Sequence, residues 1–181
     1  MTRIPALILL LAAAEGSLAA RTVSRCGVSA VVPASWSVTS AKTDASGTCS
    51  FSLKPADWEH LRRTDDLEVG AFALEVAVRP GSLAQNFASG TLWRDEAGRL
   101  HACSSGPAGC GEAHEVRTKC CIGVLGESGT TRFYKDGSRG GMDSFLIGFL
   151  AAKGRVATIR ADAAFRDTEI FEKLLKSIVL R

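Results

Sequence analysis

Apolar and polar side chains alternate along several stretches of the chain, and the alternation predicts strands. From Ala71 to Arg79, the residues Phe72, Leu74, Val76 and Val78 alternate with Ala73, Glu75, Ala77 and Arg79, and Pro80-Gly81 ends the run. Cys49-Ser50-Phe51-Ser52-Leu53-Lys54 has the same period of two, with Cys49, Phe51 and Leu53 on one face. Gly27 to Val32 reads as a strand stopped by Pro33. Within it Val28, Ala30 and Val32 share a face, and Cys26 has the same parity. Trp36 to Thr39 reads as a further strand. Ile122 to Leu125 and Thr130 to Lys135 read as strands too, with Asp136-Gly137 as a turn. Phe145 to Ala151 and Val156 to Arg160 predict a hairpin with Lys153-Gly154 in the bend.

Three segments carry helical signals. Pro55 to Arg62 predicts a short helix with proline in its first turn, where a missing N–H costs nothing. Ser82 can cap a second helix, with Leu83 and Phe87 on one face and an end near Gly90. The third runs from about Thr168 to Val179, where Ile170, Phe171, Leu174, Leu175 and Ile178 form one apolar stripe. Residues 94–121 stand apart. They are polar, rich in Gly and Ser, and hold four of the six cysteines, which predicts an irregular insert or loose hairpin pinned by disulfides. The order of elements predicts an α+β fold: an antiparallel sheet meander with helices packed on one face, including a C-terminal helix, and disulfide-bonded. Phe72, Leu74, Val76, Val78, Phe171, Leu174, Leu175 and Ile178 are the expected core.

The first residues carry a different signal. Met1-Thr2-Arg3 is followed by an apolar run from Ile4 to Ala14 and then by Glu15-Gly16-Ser17-Leu18-Ala19-Ala20. A short basic start, a hydrophobic stretch and small residues at the exit make a secretory signal peptide, expected at 1–19 with cleavage after Ala19 or Ala20. The competing reading is a buried N-terminal helix. The run is shorter than the roughly 20 apolar residues that a membrane span needs. Residues 20–181 are then expected to form one domain. The chain of 181 residues is 46% hydrophobic and 23% charged, which fits a globular domain and argues against disorder, collagen or a coiled coil. Its net charge of +3 is spread along the chain, so no nucleic-acid partner is expected. No N-glycosylation acceptor is present, since the sole Asn, Asn86, precedes Phe87-Ala88.

Six cysteines (Cys26, Cys49, Cys103, Cys110, Cys120 and Cys121) in an exported chain read as disulfides. Inward parity on early strands favours Cys26–Cys49. Cys120-Cys121 can close a vicinal disulfide, but neighbouring cysteines more often bridge to two different partners, here Cys103 and Cys110. The same region holds His101 and His114, and four of these six side chains could surround a metal ion. The spacing lacks paired C-x-x-C knuckles. A nucleophilic cysteine such as Cys120 activated by His114 would need a free thiol, which an even count in an oxidising compartment argues against. No catalytic, cofactor-binding or metal-ligating residue is therefore assigned, and no cofactor is expected. Arg132, Phe133, Tyr134, Lys135 and Arg139 mix basic and aromatic side chains beside a glycine-rich loop and form a candidate binding surface.

Three motifs together resemble the Mog1/PsbP-like group of small domains. They are the strand running into Pro33-Ala34-Ser35-Trp36, the strand-then-helix passage from Phe72 to Phe87, and the ending Phe171-Glu172-Lys173-Leu174-Leu175-Lys176-Ser177-Ile178. The cysteine-rich insert departs from that group. The resemblance implies an α+β fold and a role in binding or supporting other proteins, with no shared catalytic set. The expected function is that of an exported, non-catalytic binding or accessory protein with a protein partner. The alternatives are an exported metal-binding protein or enzyme using the insert, and a periplasmic immunity protein against a toxin.

Overall fold

The computed structural model describes residues 20–58, 73–103, 109–133, 139–161 and 168–181. Thirteen strands run through these residues: β1 (Ala20–Arg25), β2 (Val28–Pro33), β3 (Trp36–Val38), β4 (Lys42–Thr43), β5 (Cys49–Pro55), β6 (Leu74–Pro80), β7 (Leu92–Arg94), β8 (Leu100–Cys103), β9 (Cys110–Arg117), β10 (Ile122–Phe133), β11 (Arg139–Ala152), β12 (Arg155–Ala161) and β13 (Val179–Leu180). The helices with both ends among the described residues are α1 (Leu83–Ala88) and α2 (Thr168–Ser177). β1, β2 and β13 form a small sheet, and the other ten strands form a large one in the order β3-β5-β6-β12-β11-β10-β9-β8-β7, with β4 also on β5. Every pairing is antiparallel.

This architecture corrects the α+β expectation. The structure is mostly β, 59% strand against 12% helical, with two short helices and large antiparallel sheets. The cover over the inner face of the large sheet is largely strand. Val23, Val28, Ala30, Val32 and Leu180 of the small sheet join Phe171 and Leu175 of α2 in the main core, against Phe51, Leu53, Leu74, Val76, Leu125, Leu150 and Ile159. Of the two readings of residues 94–121, an irregular insert or a loose hairpin pinned by disulfides, the described residues fit the hairpin, with Cys103–Cys110 across β8 and β9. Together with the preceding β7 they form two antiparallel pairs, β7–β8 and β8–β9, whose few apolar side chains are used efficiently: Leu92 and Ala102 are fully buried. These strands are three to eight residues long, too short for alternation to stand out against their Gly and Ser content. A second, smaller core gathers Leu92, Leu100, Ala102, Val124, Ile147 and Phe149 on the opposite face. The sheet curls tightly there. A Cβ at Gly126 would lie 2.7 Å from Ala113 Cβ and 3.0 Å from Ala102 Cβ, so strand β8 folds back over β10 only because position 126 has no side chain.

The β11–β12 hairpin follows its pattern. Ala152 pairs with Arg155, and the two bend residues Lys153 and Gly154 have φ of +52° and +72°. Cys26-Gly27 makes the same kind of bend between β1 and β2, with φ of +53° and +76°. Two consecutive positive φ values suit a two-residue hairpin loop, because their twist matches that of the flanking strands. The central run from Leu146 to Leu150 is buried on both faces, which explains its unbroken apolar character. Of the expected core, Leu74, Val76, Val78, Phe171, Leu175 and Ile178 are buried, Leu174 is half-buried, and Phe72 lies outside the described residues. The expected strands Ile122–Leu125 and Thr130–Lys135 are parts of one strand, β10, and Asp136-Gly137 lies outside the described residues. So do residues 59–62 of the expected helix from Pro55 and all of 1–19, while Pro55 itself closes β5.

Candidate functional site

Strand register sets out one continuous surface on the outer face of the large sheet. Ser52, Glu75, Arg160 and Ile147 lie across β5, β6, β12 and β11 in one row. The next row is Ser50, Ala77, Thr158 and Phe149, and Arg79 pairs with Val156 in the row beyond. These positions have the parity opposite to Leu74, Val76 and Val78, which point into the main core. The face is concave because α1 and the link that follows it, with Ser89 and Thr91, rise along one side of it. Two hollows result, and they share Ile147 and Thr158. The larger, about 580 Å³, is lined by Arg79, Gln85, Asn86, Ser89, Thr91, Cys103, Ile147, Phe149 and Thr158. That volume lies within the range of small-molecule sites, roughly 300–1,000 Å³.

The polar wall of this hollow is built by α1. Ser82 and Gln85 form a capping box, and the Ser82 N–H donates to Gln85 Oε1 at 3.1 Å. That turn places Gln85 and Asn86 over the end of β6. Arg79 donates to Asn86 Oδ1 at 2.7 Å and to Gln85 Oε1 at 3.4 Å. Asn86 is 3% exposed, and its amide donates onward to Thr91 Oγ1 at 3.1 Å. Ser89 and Thr91 each donate to the Asn86 carbonyl at 3.1 Å. All the partners of Arg79 are thus neutral oxygens, and none of the ion pairs among the described residues includes it. Arg79 also lines a second hollow of about 330 Å³ on its other side, together with Arg155. A guanidinium with five N–H donors and no counter-charge among the described residues, beside an open hollow, is suited to an anion.

A second polar cluster lies on the β7–β8 hairpin. Trp93, 41% exposed, stacks on His101 with ring centroids 4.6 Å apart. His101 Nε2 lies 3.3 Å from Asp95 Oδ2. Asp95 also accepts from the Arg99 backbone N–H at 2.8 Å and from Arg99 Nε at 2.7 Å. Partial burial works against ionisation of Asp95, but the hydrogen bonds from Arg99 and His101 outweigh it and hold the carboxyl down to about 2. Glu172 on α2 is also held below the usual carboxylate range, first by Lys176 at 2.6 Å and then by His114 at 3.6 Å. Both clusters are internally satisfied and serve the hairpin and the helix.

The structure separates the cysteine–histidine cluster of the sequence. Cys103 and Cys110 are direct register partners at one end of β8–β9, with Cα atoms 4.1 Å apart, and they bond to each other. Cys120 and Cys121 occupy the turn at the other end of β9, between the last pair Arg117 and Ile122, and form a vicinal disulfide. Eight residues of strand, about 24 Å at 3.4 Å per residue along an extended antiparallel strand, divide the two ends, so the expected cross-bridges are geometrically impossible. Cys26–Cys49 is the expected pair and ties the β1–β2 turn to the start of β5, with Cα atoms 5.6 Å apart. All six sulfurs are therefore in disulfides. His101 faces Trp93 and His114 faces Glu172. Among the described residues no three His, Cys, Asp or Glu side chains converge.

The basic–aromatic surface lies elsewhere. Arg132 and Phe133 close β10 and Arg139 opens β11, with Phe133 and Arg139 directly across from each other, while Tyr134 and Lys135 lie outside the described residues. Arg139 is eight residues from Ile147, about 25 Å along an extended strand, so that surface and the Arg79 hollow are distinct. The hollow was not foreseen, because its arginine reads as an ordinary solvent-facing position of a strand. The available signals were the Ser82–Gln85 capping spacing and the sequence's single asparagine, two residues from the end of that helix. No protein-family model matches the chain, and no curated protein matches it. The Mog1/PsbP-like resemblance is thus carried by its three motifs alone. The three disulfides are consistent with an oxidising, exported location, and no helix among the described residues is long and apolar enough to cross a membrane.

Proposed function

We propose that the protein is an exported, non-catalytic binding protein of the periplasm or the medium, and that it engages a protein partner through the outer face of the large sheet. One observation carries this reading. The face is concave, framed by α1 and the link after it, and holds an arginine whose charge no carboxylate among the described residues neutralises. Such a surface loses little rotamer freedom on binding, because its side chains stand on strands and on a capped helix. The three disulfides support the exported address and stiffen the scaffold: Cys26–Cys49, closing a loop of 23 residues, contributes about 3 kcal/mol by restricting the unfolded chain.

The test is a set of charge insertions in the purified oxidised protein. Ala77→Arg and Thr158→Arg place bulk on the face, and Val31→Arg, on a residue 50% exposed on the small sheet, is the control. A partner isolated from the exported fraction and purified should bind the face variants at least ten-fold more weakly, and the control as tightly as the native protein. Equal binding by all three variants would refute the reading. A stoichiometric metal or a titratable thiol at Cys120 or Cys121 in the non-reduced protein would favour the metal-binding or enzymatic alternative.

A further inference from the structure

The Arg79 hollow is larger than an acidic side chain of a partner would fill, and this points to a separate ligand. We infer that it is a binding site for a small organic carboxylate, with the carboxylate on the Arg79 guanidinium and an apolar body over Ile147 and Phe149. This inference does not depend on the protein-binding reading above, although both place activity on the same face.

The argument starts from the charge. Arg79 is anchored rather than mobile: the 2.7 Å bond to Asn86, itself fixed by Thr91, and the weaker bond to Gln85 hold the guanidinium at the wall of the hollow. These bonds use amide oxygens, which orient the group without cancelling its charge. The remaining N–H donors form the planar fork that matches the two oxygens of a carboxylate. A positioned arginine at the edge of a hollow, with no carboxylate partner among the described residues, gains more from an anion than an arginine in bulk water does, because the concave walls exclude part of the competing solvent. Arg155, which lines the adjoining hollow with Arg79, adds positive charge of the same sign nearby.

The rest of the lining selects the body of the ligand. Ile147 and Phe149 form the floor, Thr158 and Thr91 contribute methyl and hydroxyl groups, and the Cys103 side of a disulfide closes one end. Among the described residues no carboxylate lines the hollow, so none of them would repel the anion or attract a cation. The neighbouring hollow along the strands contains Glu75, four residues from Arg79 and so roughly 13 Å along an extended strand, too far to pair with it. A volume of about 580 Å³ accommodates a body the size of a phenylalkyl chain. Inorganic phosphate would satisfy Arg79 but fill little of the roughly 580 Å³, so a simple anion fits less well.

Titration by amide-resolved NMR of the oxidised protein tests this with 3-phenylpropionate, its neutral counterpart 3-phenylpropanamide, acetate and inorganic phosphate as probes. The acid should give saturable shifts confined to Arg79, Asn86, Thr91, Phe149 and their neighbours, with half-saturation in the low millimolar range. The amide and acetate should each bind at least ten-fold more weakly. Arg79→Gln should abolish the response. Because that change also removes the bond to Asn86, Thr158→Trp serves as a second variant that fills the hollow and keeps the arginine, and it too should abolish binding. Equal binding of acid and amide, equal binding of phosphate, shifts elsewhere on the surface, or no saturation by 20 mM would each overturn the inference. None of these outcomes would bear on the partner assay with Ala77→Arg and Thr158→Arg, so the two readings fail separately.

Discussion

Leu175 of α2 lies against Gly148 of β11, and this contact gives a sharp stability test. A Cβ built there would lie 2.7 Å and 2.8 Å from the two Cδ atoms of Leu175 and 3.3 Å from its Cγ. Leu175 is fully buried, so truncation to Ala removes three buried carbons. At about 0.8 kcal/mol per buried carbon this costs roughly 2.4 kcal/mol, and the cavity left behind brings the total into a range of about 2–5 kcal/mol. Gly148→Ala drives a methyl into the leucine and costs about 1–3 kcal/mol from overpacking, less about 0.5–1 kcal/mol returned by the stiffer unfolded chain. The three atoms that block the new methyl are the three that Leu175→Ala deletes. In that background Gly148→Ala should therefore be neutral or stabilising by up to about 1 kcal/mol, since only the unfolded-state term survives. Urea unfolding of the four oxidised proteins yields the cycle, with unchanged m-values as the check that the transitions are comparable. A coupling of about 1–3 kcal/mol is expected. Additivity within about 0.5 kcal/mol would mean that the helix does not dock on β11 through this pair.

Three further outcomes follow from the geometry. Non-reducing peptide mapping should recover Cys26–Cys49, Cys103–Cys110 and the adjacent pair Cys120–Cys121, and a peptide joining Cys110 to Cys120 would contradict the strand register. Asp95 is held at about 2 against an ordinary 3.8, so its contribution is present above about pH 4 and is lost as pH falls toward 2. The Tm gap between the native protein and Asp95→Asn should accordingly close over that window, and a gap that persists below pH 2 would refute the Arg99 clamp. Asn86→Ala leaves Arg79 and Thr91 without their common partner and should cost about 1–3 kcal/mol in chemical denaturation, whereas a cost near zero would show that the wall of the hollow is not held by this residue.

Local signals made part of this fold legible. Strand β6 and the β11–β12 hairpin could be read because alternation and a Lys-Gly bend act over a few residues. Cys26–Cys49 could be read because parity on two strands predicts a shared inward face. The strands β7 to β9 could not, since their burial depends on the curl at Gly126 that brings Ala102 over β10, a contact made across 24 positions of chain. The pairing of Cys103, Cys110, Cys120 and Cys121 turned on the length of β9, which sequence separation alone does not convert into distance. The α+β expectation failed for the same reason, because a polar stretch that is unremarkable locally supplies three strands of the large sheet. Arg79 is the most instructive position. Alternation places it opposite to Leu74, Val76 and Val78, and that side of the sheet carries a hollow walled by α1 and the link after it.

The claim that the outer face of the large sheet is the working surface can be tested by site-specific photo-crosslinking in the exported protein. A benzophenone side chain placed at Ala77 or Thr158 should give a discrete covalent adduct that disappears on Arg79→Glu. The same group at Val31 or Lys42, away from the hollow, should give none. Adducts of equal yield from Val31 and Lys42, or none from either position on the face, would contradict the account.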